Sequence, residues 1–416
     1  MNRLPDITLD YIDFIRKNKS EDLSSLLLKY HGKPSSFDVD SALLQIKCRR
    51  KTSKKLKSFL EKEQFLFPSA LSAEQASHQA VAQYHSSLIP DNSTLLDMTA
   101  GLGIDVMTMA GKCNKATAVE IETLKAEALI HNCIVMGIGN IEVINADSVK
   151  WLQENEAHFD VIFIDPARRD NDNKRTYNFH DCAPDIISIQ QMLRNRARQV
   201  FIKASPLLDL TQTLRDISEV RSIRAICVEG ECKEILVETR NEATGDNTPS
   251  ISTATILKEA IDLDNDGKII SIFSCIQAEP SSSDNVKDIA YAEESDVKPG
   301  HYLYEPNAAV MKLAPWNELC RKYPDLKKLA PSSHLFISTI LHDDFPGRIL
   351  SIEKLIEKKD RKNLKGLPVN VSVRNYPLSA ENLRKQLGTK EGRDMFIYGT
   401  RIKNPVLILA RRFQIH

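Results

Sequence analysis

Residues 95–110, LLDMTAGLGIDVMTMA, decide the fold of this chain. An apolar strand ends there at Asp97, a Gly-x-Gly turn follows at Gly101 and Gly103, and an apolar helix begins after the turn. Open α/β sheets form nucleotide crevices in this way, because the glycines allow a sharp turn and the close approach of a ligand. The helix N-terminus adds free N–H groups. The stretch therefore predicts an α/β sheet with a nucleotide site at the end of its first strand.

Three further predicted strands also end in acidic residues. Residues 116–122 (ATAVEIE) place Glu120 twenty-three residues after Asp97, where a carboxylate can bind both ribose hydroxyls of an adenosine. The stretch IEVINAD ends at Asp147, within reach of the adenine, and FDVIFIDPARR contains Asp165. Carboxyl ends of parallel strands meet at one edge of a sheet, so these acids should share a crevice. The alternative is that they are only helix caps or turn residues.

The type of nucleotide follows from two details of the turn. Val106 stands where a dinucleotide fingerprint has its third glycine, and Asp97 would repel a pyrophosphate. An acid at this place suits a ligand with an amino group and a sulfonium cation. The pattern therefore favours S-adenosylmethionine over the alternative, the nicotinamide dinucleotide of an oxidoreductase.

In these motifs the chain resembles class I S-adenosylmethionine-dependent methyltransferases. The resemblance implies that the glycine turn contacts the methionine part, that Glu120 binds the ribose and that Asp147 lies beside the adenine. It also implies an acceptor pocket at Asp165-Pro166-Ala167-Arg168. The cofactor-binding residues predicted in this way are Asp97, Thr99, Ala100, Gly101, Gly103, Glu120, Ile121, Asp147 and Ser148.

The order of the later segments agrees with the same fold class. A fifth strand, FIKASP, is followed by two β-like runs, residues 224–229 and 234–239, around a turn at Gly230 and Glu231. They indicate the antiparallel hairpin that ends a methyltransferase sheet. We therefore expect an α/β fold: a Rossmann-like sheet of seven strands with an antiparallel last hairpin.

Four regions are expected along the chain. Residues 1–70 predict a helical N-terminal region, and residues 71–240 the methyltransferase domain. Residues 241–330 predict a linker, with polar loops at 241–252 and 279–288, and a small ferredoxin-like α+β segment; residues 331–416 predict a THUMP-like α+β domain.

The helix expected at residues 71–88 leads into the first strand. Ser72 and Gln75 fit a capping box at its start. Alternatively, Gln75 and Ser77 contact the carboxylate of the methionine part, since such a helix lies over the cofactor in many methyltransferases.

The C-terminal part bears a second resemblance. The stretches YEPNAAVMK, SVRNYPLSAENLRKQL and YGTR, together with DMTAGLGID, IDPARR, GECKE and FPGR, are similar to a bacterial, Bacteroidetes-type methyltransferase family with a ferredoxin-like segment and a THUMP-like domain. THUMP domains bind the acceptor end of transfer RNA, so the resemblance implies RNA as a partner by analogy.

Charge is unevenly distributed although the formal net charge is zero. Residues 346–416 contain sixteen Lys and Arg against six Asp and Glu, and a second basic run, KCRRKTSKKLK, spans residues 47–57. Such asymmetry is typical of modules that contact nucleic acid. A solvated, lysine-rich face is the alternative.

Other classes of protein are disfavoured. The eight cysteines show no C-x-x-C pair, so we expect no zinc or iron–sulfur site and a reducing compartment. No stretch has the length of a membrane span or the character of a signal peptide, which predicts a soluble, cytoplasmic protein without membrane contact.

The acceptor chemistry centres on three predicted catalytic residues, Asp165, Pro166 and Arg168. Enzymes that methylate exocyclic amines use Asp or Asn, then Pro-Pro and an aromatic residue; the acid and the proline carbonyl accept the amine hydrogens. Here Ala167 and Arg168 replace the last two residues. An arginine can stack on a base or pair with a phosphate, so Arg168, Arg169 or Tyr177 is a candidate for this role.

Lys203 and Cys182 are two further candidates for the pocket. Lys203, in FIKASP, faces it and either contacts RNA phosphate or is a plain lysine at its edge. Carbon-5 methylation of a pyrimidine needs a cysteine nucleophile. Cys182 fits the start of a helix better, so this chemistry is disfavoured.

The sequence thus predicts an S-adenosylmethionine-dependent methyltransferase acting on a base of transfer or ribosomal RNA, an exocyclic amine being one candidate acceptor. Two alternatives stay open: a non-catalytic RNA-binding protein that retains the fold, and a methyltransferase of a small molecule or protein.

Overall fold

The computed structural model describes residues 3–30, 33–168, 179–240, 255–278 and 289–413. The chain forms two compact units. The first consists of Met1–Glu229, Lys233–Leu257 and Leu263–Ile270, and the second of Gly230–Cys232, Lys258–Asp262 and Ser271–His416. Two polar stretches expected as loops, 241–252 and 279–288, lie outside the described residues.

The N-terminal region is helical, as predicted. Its helices are α1 Leu9–Asn18, α2 Leu23–Tyr30, α3 Val39–Thr52 and α4 Lys57–Leu60. Thr8 and Asp38 cap α1 and α3 by accepting backbone N–H bonds. The apolar faces of α1, α2 and α3 pack on one another and bury Tyr11, Phe14 and Ile46.

Two arginines of the basic run at residues 47–57 hold this region together. The Arg49 guanidinium donates hydrogen bonds to the carbonyl oxygens of residues 60, 62, 63 and 65, and that of Arg50 to those of residues 18, 19 and 21. These side chains therefore stabilise the fold, and the run offers fewer cations to a ligand than its sequence suggests.

A nine-stranded sheet, counted over the described residues, forms the centre of the methyltransferase-like region. Its strands are β1 Ser93–Asp97, β2 Cys113–Glu120, β3 Ile141–Asn145, β4 Phe159–Ile164, β5 Ala197–Ala204, β6 Val220–Val228, β7 Glu231–Arg240, β8 Thr255–Leu263 and β9 Ile269–Ala278.

The order of the strands is β9-β8-β6-β7-β5-β4-β1-β2-β3. Strands β1 to β5 pair in parallel, with Leu95 opposite Ala116 and Val161, whereas β7 runs antiparallel to β5. The predicted α/β fold with a Rossmann-like sheet is confirmed. Over the described residues the sheet has nine strands rather than the expected seven, because β8 and β9 extend it beyond β6 and β7.

Helices flank the strands and bury their apolar residues, which are continuous along β4 as expected for a strand covered on both faces. They are α5 Ala70–Gln75, α6 Gln79–Leu88, α7 Ile104–Met109, α8 Thr123–Met136, α9 Ser148–Glu154, α10 Ile186–Arg196 and α11 Leu210–Asp216. Short 3-10 helices span Ala110–Lys112 and Phe179–Asp181, and Ala167–Arg168 pairs antiparallel with Cys182–Ala183.

The single helix expected at residues 71–88 is wrong, because α5 and α6 are separate helices. Ser69, rather than Ser72, caps α5, and the chain leaves the helical conformation at Ala76. His78 then caps α6 by accepting the N–H of Ala80 at its Nδ1 atom. Ser77 lies in this break, and its hydroxyl group donates a hydrogen bond to the carboxylate of Asp105.

The second unit contains its own sheet. In chain order its main strands are β10 Tyr302–Pro306, β11 Phe336–Ser338, β12 Gly347–Leu355, β13 Asn370–Val373, β14 Met395–Arg401 and β15 Pro405–Arg412. A two-residue strand, Lys327–Lys328, pairs with β11. Its helices are α12 Ala308–Leu313, α13 Trp316–Lys322 and α14 Ala380–Leu387, with 3-10 turns at Glu294–Asp296 and Lys358–Leu364.

This second sheet is mostly antiparallel. Strand β12 lies between β10 and β15, and β14 follows β15. Strands β13 and β14 pair in parallel, which the crossover helix α14 makes possible. One face buries Leu303, Leu350 and Ile408. The other packs on α14 through Leu383 and Ile397.

Within the described part of the chain, no helix combines the length and the hydrophobicity needed to cross a membrane.

Candidate active site

The carboxyl ends of β1 to β5 open into a cleft of about 1190 Å³. This volume exceeds that of an ordinary small-molecule site, so it can hold a nucleoside cofactor and part of an acceptor together. Eleven of the predicted site residues line it: Asp97, Thr99, Ala100, Gly101, Gly103, Glu120, Ile121, Asp147, Ser148, Asp165 and Pro166.

Arg168, a candidate for the third catalytic position, lies on the short strand Ala167–Arg168 that follows Pro166. The other two candidates, Arg169 and Tyr177, lie outside the described residues. The roles of Asp165, Pro166 and Arg168 in catalysis stay predictions.

Glu120 holds the glycine turn in place from the end of β2. One carboxylate oxygen accepts the N–H of Gly101 at 2.8 Å, and the other accepts the N–H of Glu122 at 2.8 Å. The side chain is buried. Each carboxylate oxygen has a second lone pair, so this fixed group can still accept hydrogen bonds from ligand hydroxyls.

The two glycines of the turn meet different requirements. Gly103 has φ +87°, and an added Cβ would lie 2.1 Å from a methyl carbon of Leu129 on α8. Gly101 has φ +55°, and its nearest neighbour to an added Cβ is 3.8 Å away. Gly103 is therefore needed for helix packing, and Gly101 for the left-handed turn that exposes its backbone to the cleft.

Asp97 is a desolvated acid at the floor of the cleft, only 2% exposed. Burial raises its pKa to about 8; the N–H of Thr99, donated at 3.0 Å, opposes this shift, and the charges of Asp105 and Asp165 add to it. Among the described residues, Thr99 alone donates a hydrogen bond to this carboxylate. The charge of Lys203 lowers this pKa only in part. The site thus has an acid that a ligand with a positive charge would complement.

Asp147 serves the fold and lines the cleft as well. Its Oδ1 atom accepts the N–H groups of Val149 and Lys150 at 3.0 and 3.1 Å and so caps α9. Both of these hydrogen bonds use Oδ1, so Oδ2 can accept a hydrogen bond from a ligand. The capping interpretation is correct for this residue and does not remove it from the site.

A buried ammonium group, that of Lys203, lies beside Asp165 in the cleft. The Nζ atom of Lys203, on β5, donates to Ser77 Oγ at 2.7 Å and to Asp165 Oδ2 at 2.8 Å, and lies 3.5 Å from Asp105 Oδ2. Burial opposes its charge, but the attraction of Asp165, Asp105 and Glu234 raises its pKa well above the ordinary lysine value. Lys203 is therefore a cation inside a carboxylate cluster rather than a lysine at the edge of the pocket.

His85 completes the cluster from helix α6. Its Nδ1 atom is 2.9 Å from Asp105 Oδ1 and its Nε2 atom is 2.6 Å from Glu234 Oε1, and the ring is 1% exposed. Burial alone would lower its pKa, but Glu234 and Asp105 together raise it to about 9. We call Ser77, His85, Asp105, Asp165, Lys203 and Glu234 the buried polar cluster.

Sequence reasoning missed His85, Asp105 and Glu234. Asp105 is the last residue of GLGID and Glu234 the last of GECKE, two stretches that carry the family resemblance. The pairing had no local signal, however, because 149 residues separate His85 from Glu234. A further bond connects the motifs: the N–H of Asp165 donates to Thr99 Oγ1 at 2.7 Å.

Cys182 lies on a two-residue strand, not at a helix start as expected, because α10 begins at Ile186 with Asp185 as its cap. Its side chain is fully buried and does not line the cleft. Over the described residues, no group of His, Cys, Asp and Glu is arranged to hold a metal ion.

Comparison with known proteins identifies the C-terminal part. Residues 302–346 match a family model described as a ferredoxin-like domain, and residues 347–412 match one described as a THUMP-like domain. The predicted boundaries at residues 240 and 330 stay predictions.

The whole chain is similar to a crystal structure of a candidate methyltransferase from Porphyromonas gingivalis W83. The TM-score is 0.82 at 26% sequence identity, and the match covers 98% of each chain.

Two curated relatives are similar over shorter stretches. An uncharacterised RNA methyltransferase of Mycoplasma mobile is 33% identical over 84 residues, 20% of this chain and 23% of that protein. Another, of Thermosynechococcus vestitus, is 26% identical over 96 residues, 23% of this chain and 21% of that protein. The chain thus spans less than a quarter of the length of the curated relatives it matches.

The strand order, the whole-chain likeness and the two family matches agree with the resemblance drawn from the motifs. The chain has a methyltransferase-type α/β fold followed by a ferredoxin-like and a THUMP-like domain.

Proposed function

We propose that this protein is an S-adenosylmethionine-dependent methyltransferase that acts on RNA. The observation that supports the cofactor most strongly is the row of acids along one cleft. Asp147, Glu120 and Asp97 follow one another from β3 to β1, in the order that adenine, ribose and methionine have in the cofactor. The names of the relatives support the reaction class.

The donor set fits this cofactor. Asp97 would face its amino group and sulfonium, Glu120 its ribose hydroxyls and Asp147 its adenine edge. When bound, the cofactor supplies an electrophilic methyl group on a positively charged sulfur.

The chain's own contribution to methyl transfer is positioning. An in-line displacement requires the acceptor atom to be held in line with the bond that breaks. Asp165 is partly exposed to the cleft, with its Oδ2 atom held by Lys203 at 2.8 Å. A carboxylate fixed in this way can accept an N–H from an acceptor amine and keep the lone pair of the nitrogen directed at the methyl group. Ser77, Asp105 and Glu234 in turn fix Lys203.

RNA as the acceptor is supported by the cations of the second unit. Five cations that pair with no carboxylate in the described chain lie on or next to the 3-10 helix Lys358–Leu364 and shortly after the end of α14. Backbone bonds from Gly366 to Gly388 and from Lys390 to Leu367 bring the two segments together. We call this group the basic face: Lys358, Arg361, Lys362, Lys365 and Lys390. Phosphates are the natural ligands of such a surface.

Transfer of label tests the proposal. Purified protein is incubated with S-adenosylmethionine carrying a tritiated methyl group and with total RNA from a strain that lacks this protein, and the labelled nucleoside is then identified. We expect label in one nucleoside of transfer or ribosomal RNA, and none with the Asp165→Ala variant. Label in protein or small metabolites would contradict RNA as the substrate, and no transfer to any acceptor would contradict the enzyme activity.

A further inference from the structure

The ammonium group of Lys55 is fixed at the wall of the cleft, where the mechanism proposed above does not use it. Its Nζ atom donates to the carbonyl oxygens of Glu74 at 2.9 Å and Ala76 at 2.8 Å, and its own carbonyl accepts the N–H of Gln79 at 2.8 Å. Lys55 thus braces the break between α5 and α6, and its position is determined by backbone rather than by flexible partners.

No carboxylate pairs with Lys55 among the described residues, whereas two nearby lysines, Lys51 and Lys57, each have one. Lys51 pairs with Glu74 at 2.8 Å and Lys57 pairs with Asp266 at 2.8 Å. An ammonium has three donors, and the two carbonyls use two of them. One N–H and a full positive charge are therefore available at the cleft.

The surroundings of Lys55 are cationic. Burial, together with the charges of Lys203, Lys51 and Lys233, lowers its pKa to about 8, and the nearby acid Glu74 opposes this shift only in part. Lys233, on β7, lines the same cleft. A bound anion would offset both the desolvation and the repulsion between these cations.

The three strand-end acids and Lys55 belong to different elements around the cleft. Asp97, Glu120 and Asp147 lie at the ends of neighbouring strands, while Lys55 follows helix α3 and contacts the break at residues 76–78. A ligand with a cation at one end and an anion at the other would match this layout.

We propose that Lys55, with Lys233 on the same wall, forms an anion subsite that binds a carboxylate or a phosphate. The inference rests on the proposed function, because that function brings two anions to the cleft: the carboxylate of the methionine part of the cofactor and the phosphate of the acceptor nucleotide.

Calorimetry on the full-length protein separates the two sources. The variant is Lys55→Gln, which keeps an N–H donor for the carbonyls but loses the charge, and the control is Lys51→Gln in the last turn of the preceding helix, α3. If the subsite binds the cofactor's carboxylate, Lys55→Gln weakens S-adenosylmethionine about 10- to 100-fold, the range of a charge-assisted hydrogen bond. The decarboxylated cofactor then binds the variant and the wild type equally.

If the subsite binds the acceptor phosphate, both cofactors bind the variant normally. Inorganic phosphate, titrated into protein saturated with S-adenosylhomocysteine, then binds the wild type and the Lys51→Gln control but binds Lys55→Gln at least about 10-fold more weakly. Equal binding of all three ligands to Lys55→Gln and wild type would overturn the proposal.

A second comparison does not depend on the variant's folding. In the wild type alone, equal affinity for S-adenosylmethionine and its decarboxylated form, together with no phosphate binding, would also overturn the subsite. These results leave the proposed function standing if the wild type binds cofactor and transfers label to RNA. Absence of cofactor binding and of transfer would instead remove the proposed function, and phosphate binding would then decide the subsite on its own.

Discussion

At Asp97 the fold buries a carboxyl group whose pKa stays raised despite the nearby charge of Lys203. A cation that binds there meets an acid that has already lost its water, so the cost of desolvation has been met during folding. The same burial keeps the acid largely protonated at neutral pH, since its pKa is about 8.

This coupling predicts a pH dependence of cofactor binding. The sulfonium favours ionised Asp97, so binding releases a proton at any pH below about 8. Between pH 6 and 7.5, below the pKa range of a free α-amino group, affinity should rise about tenfold per pH unit. Calorimetry in two buffers of different ionisation enthalpy measures the proton release.

The Asp97→Asn variant is the control for this effect. It has no titrating acid, so its affinity should be lower at pH 7.5 and flat with pH. The variant should also have a larger free energy of unfolding than the wild type at pH 8. The wild type loses stability as the pH rises from the pKa that Asp97 has in the unfolded chain to its folded-state pKa of about 8. A wild type whose affinity does not change with pH would contradict this role for Asp97.

Lys203 is expected to hold the buried polar cluster together. Lys203→Met leaves Asp105, Asp165 and Glu234 with one fewer cation, so it should lower the free energy of unfolding by about 3–5 kcal/mol, the cost of breaking a buried ion pair. Urea denaturation measures this. Lys115→Met, which removes an exposed pair with Glu142, should cost at most about 1 kcal/mol. Equal costs for the two variants would argue against the cluster.

At this scale the sequence reveals strand-end acids but not their partners. Asp97, Glu120 and Asp147 follow apolar runs, so their common edge could be predicted. Lys203 and Asp105 are 98 residues apart, and their contact depends on where β5 lies in the sheet. The fixed position of Lys55 likewise needs the break after α5, which no residue pattern indicated.

At the scale of elements, the turn between β1 and α7 depends on packing as well as on ligand approach. Gly103→Ala forces a left-handed residue to take a Cβ that overlaps Leu129, so it should destabilise the protein by about 2 kcal/mol or more. Gly111→Ala, where an added Cβ meets nothing within 4 Å, is the matched control and should be nearly neutral. Thermal unfolding compares them, and a neutral Gly103→Ala would contradict the packing argument.

Elements were predictable where hydrophobicity and turn residues agree. Strands β1 to β7 are apolar runs, most of which border an acid or a glycine, and a strand was expected at each of these places. The helix over residues 71–88 was not resolved into α5 and α6, because Gln75 to His78 are compatible with a helix on propensity alone. The bonds of Ser77 and Lys55 to other elements decide the break.

For the whole molecule, a formal net charge of zero conceals a strongly basic C-terminal region. Half of its sixteen cations pair with acids, and five of the other eight, counted over the described residues, form the basic face. Charge counted along a sequence therefore locates the domain, whereas the pairing in the fold identifies the surface.

Neutralising the basic face should weaken RNA binding without affecting the cofactor site. The triple change Lys358→Gln, Lys362→Gln and Lys365→Gln should reduce the slope of log affinity against log salt by about 2 for a single-stranded RNA. A filter-binding series between low and physiological salt measures it.

The control for the basic face changes three lysines of the same unit that already pair with acids: Lys354, Lys359 and Lys385. Their replacement by Gln should alter the slope much less. Equal slopes for the two triple variants would show that RNA, if bound, contacts another surface.

The central claim is that acids at successive strand ends hold S-adenosylmethionine, and a calorimetric titration tests it most directly. Wild-type protein should bind one cofactor per chain, and Glu120→Gln should bind at least about tenfold more weakly, because a carboxylate accepts charge-assisted bonds that an amide cannot match. Glu127→Gln, an exposed change on α8, should bind like the wild type. No binding of S-adenosylmethionine by the wild type at any concentration, or equal binding by Glu120→Gln, would contradict the account.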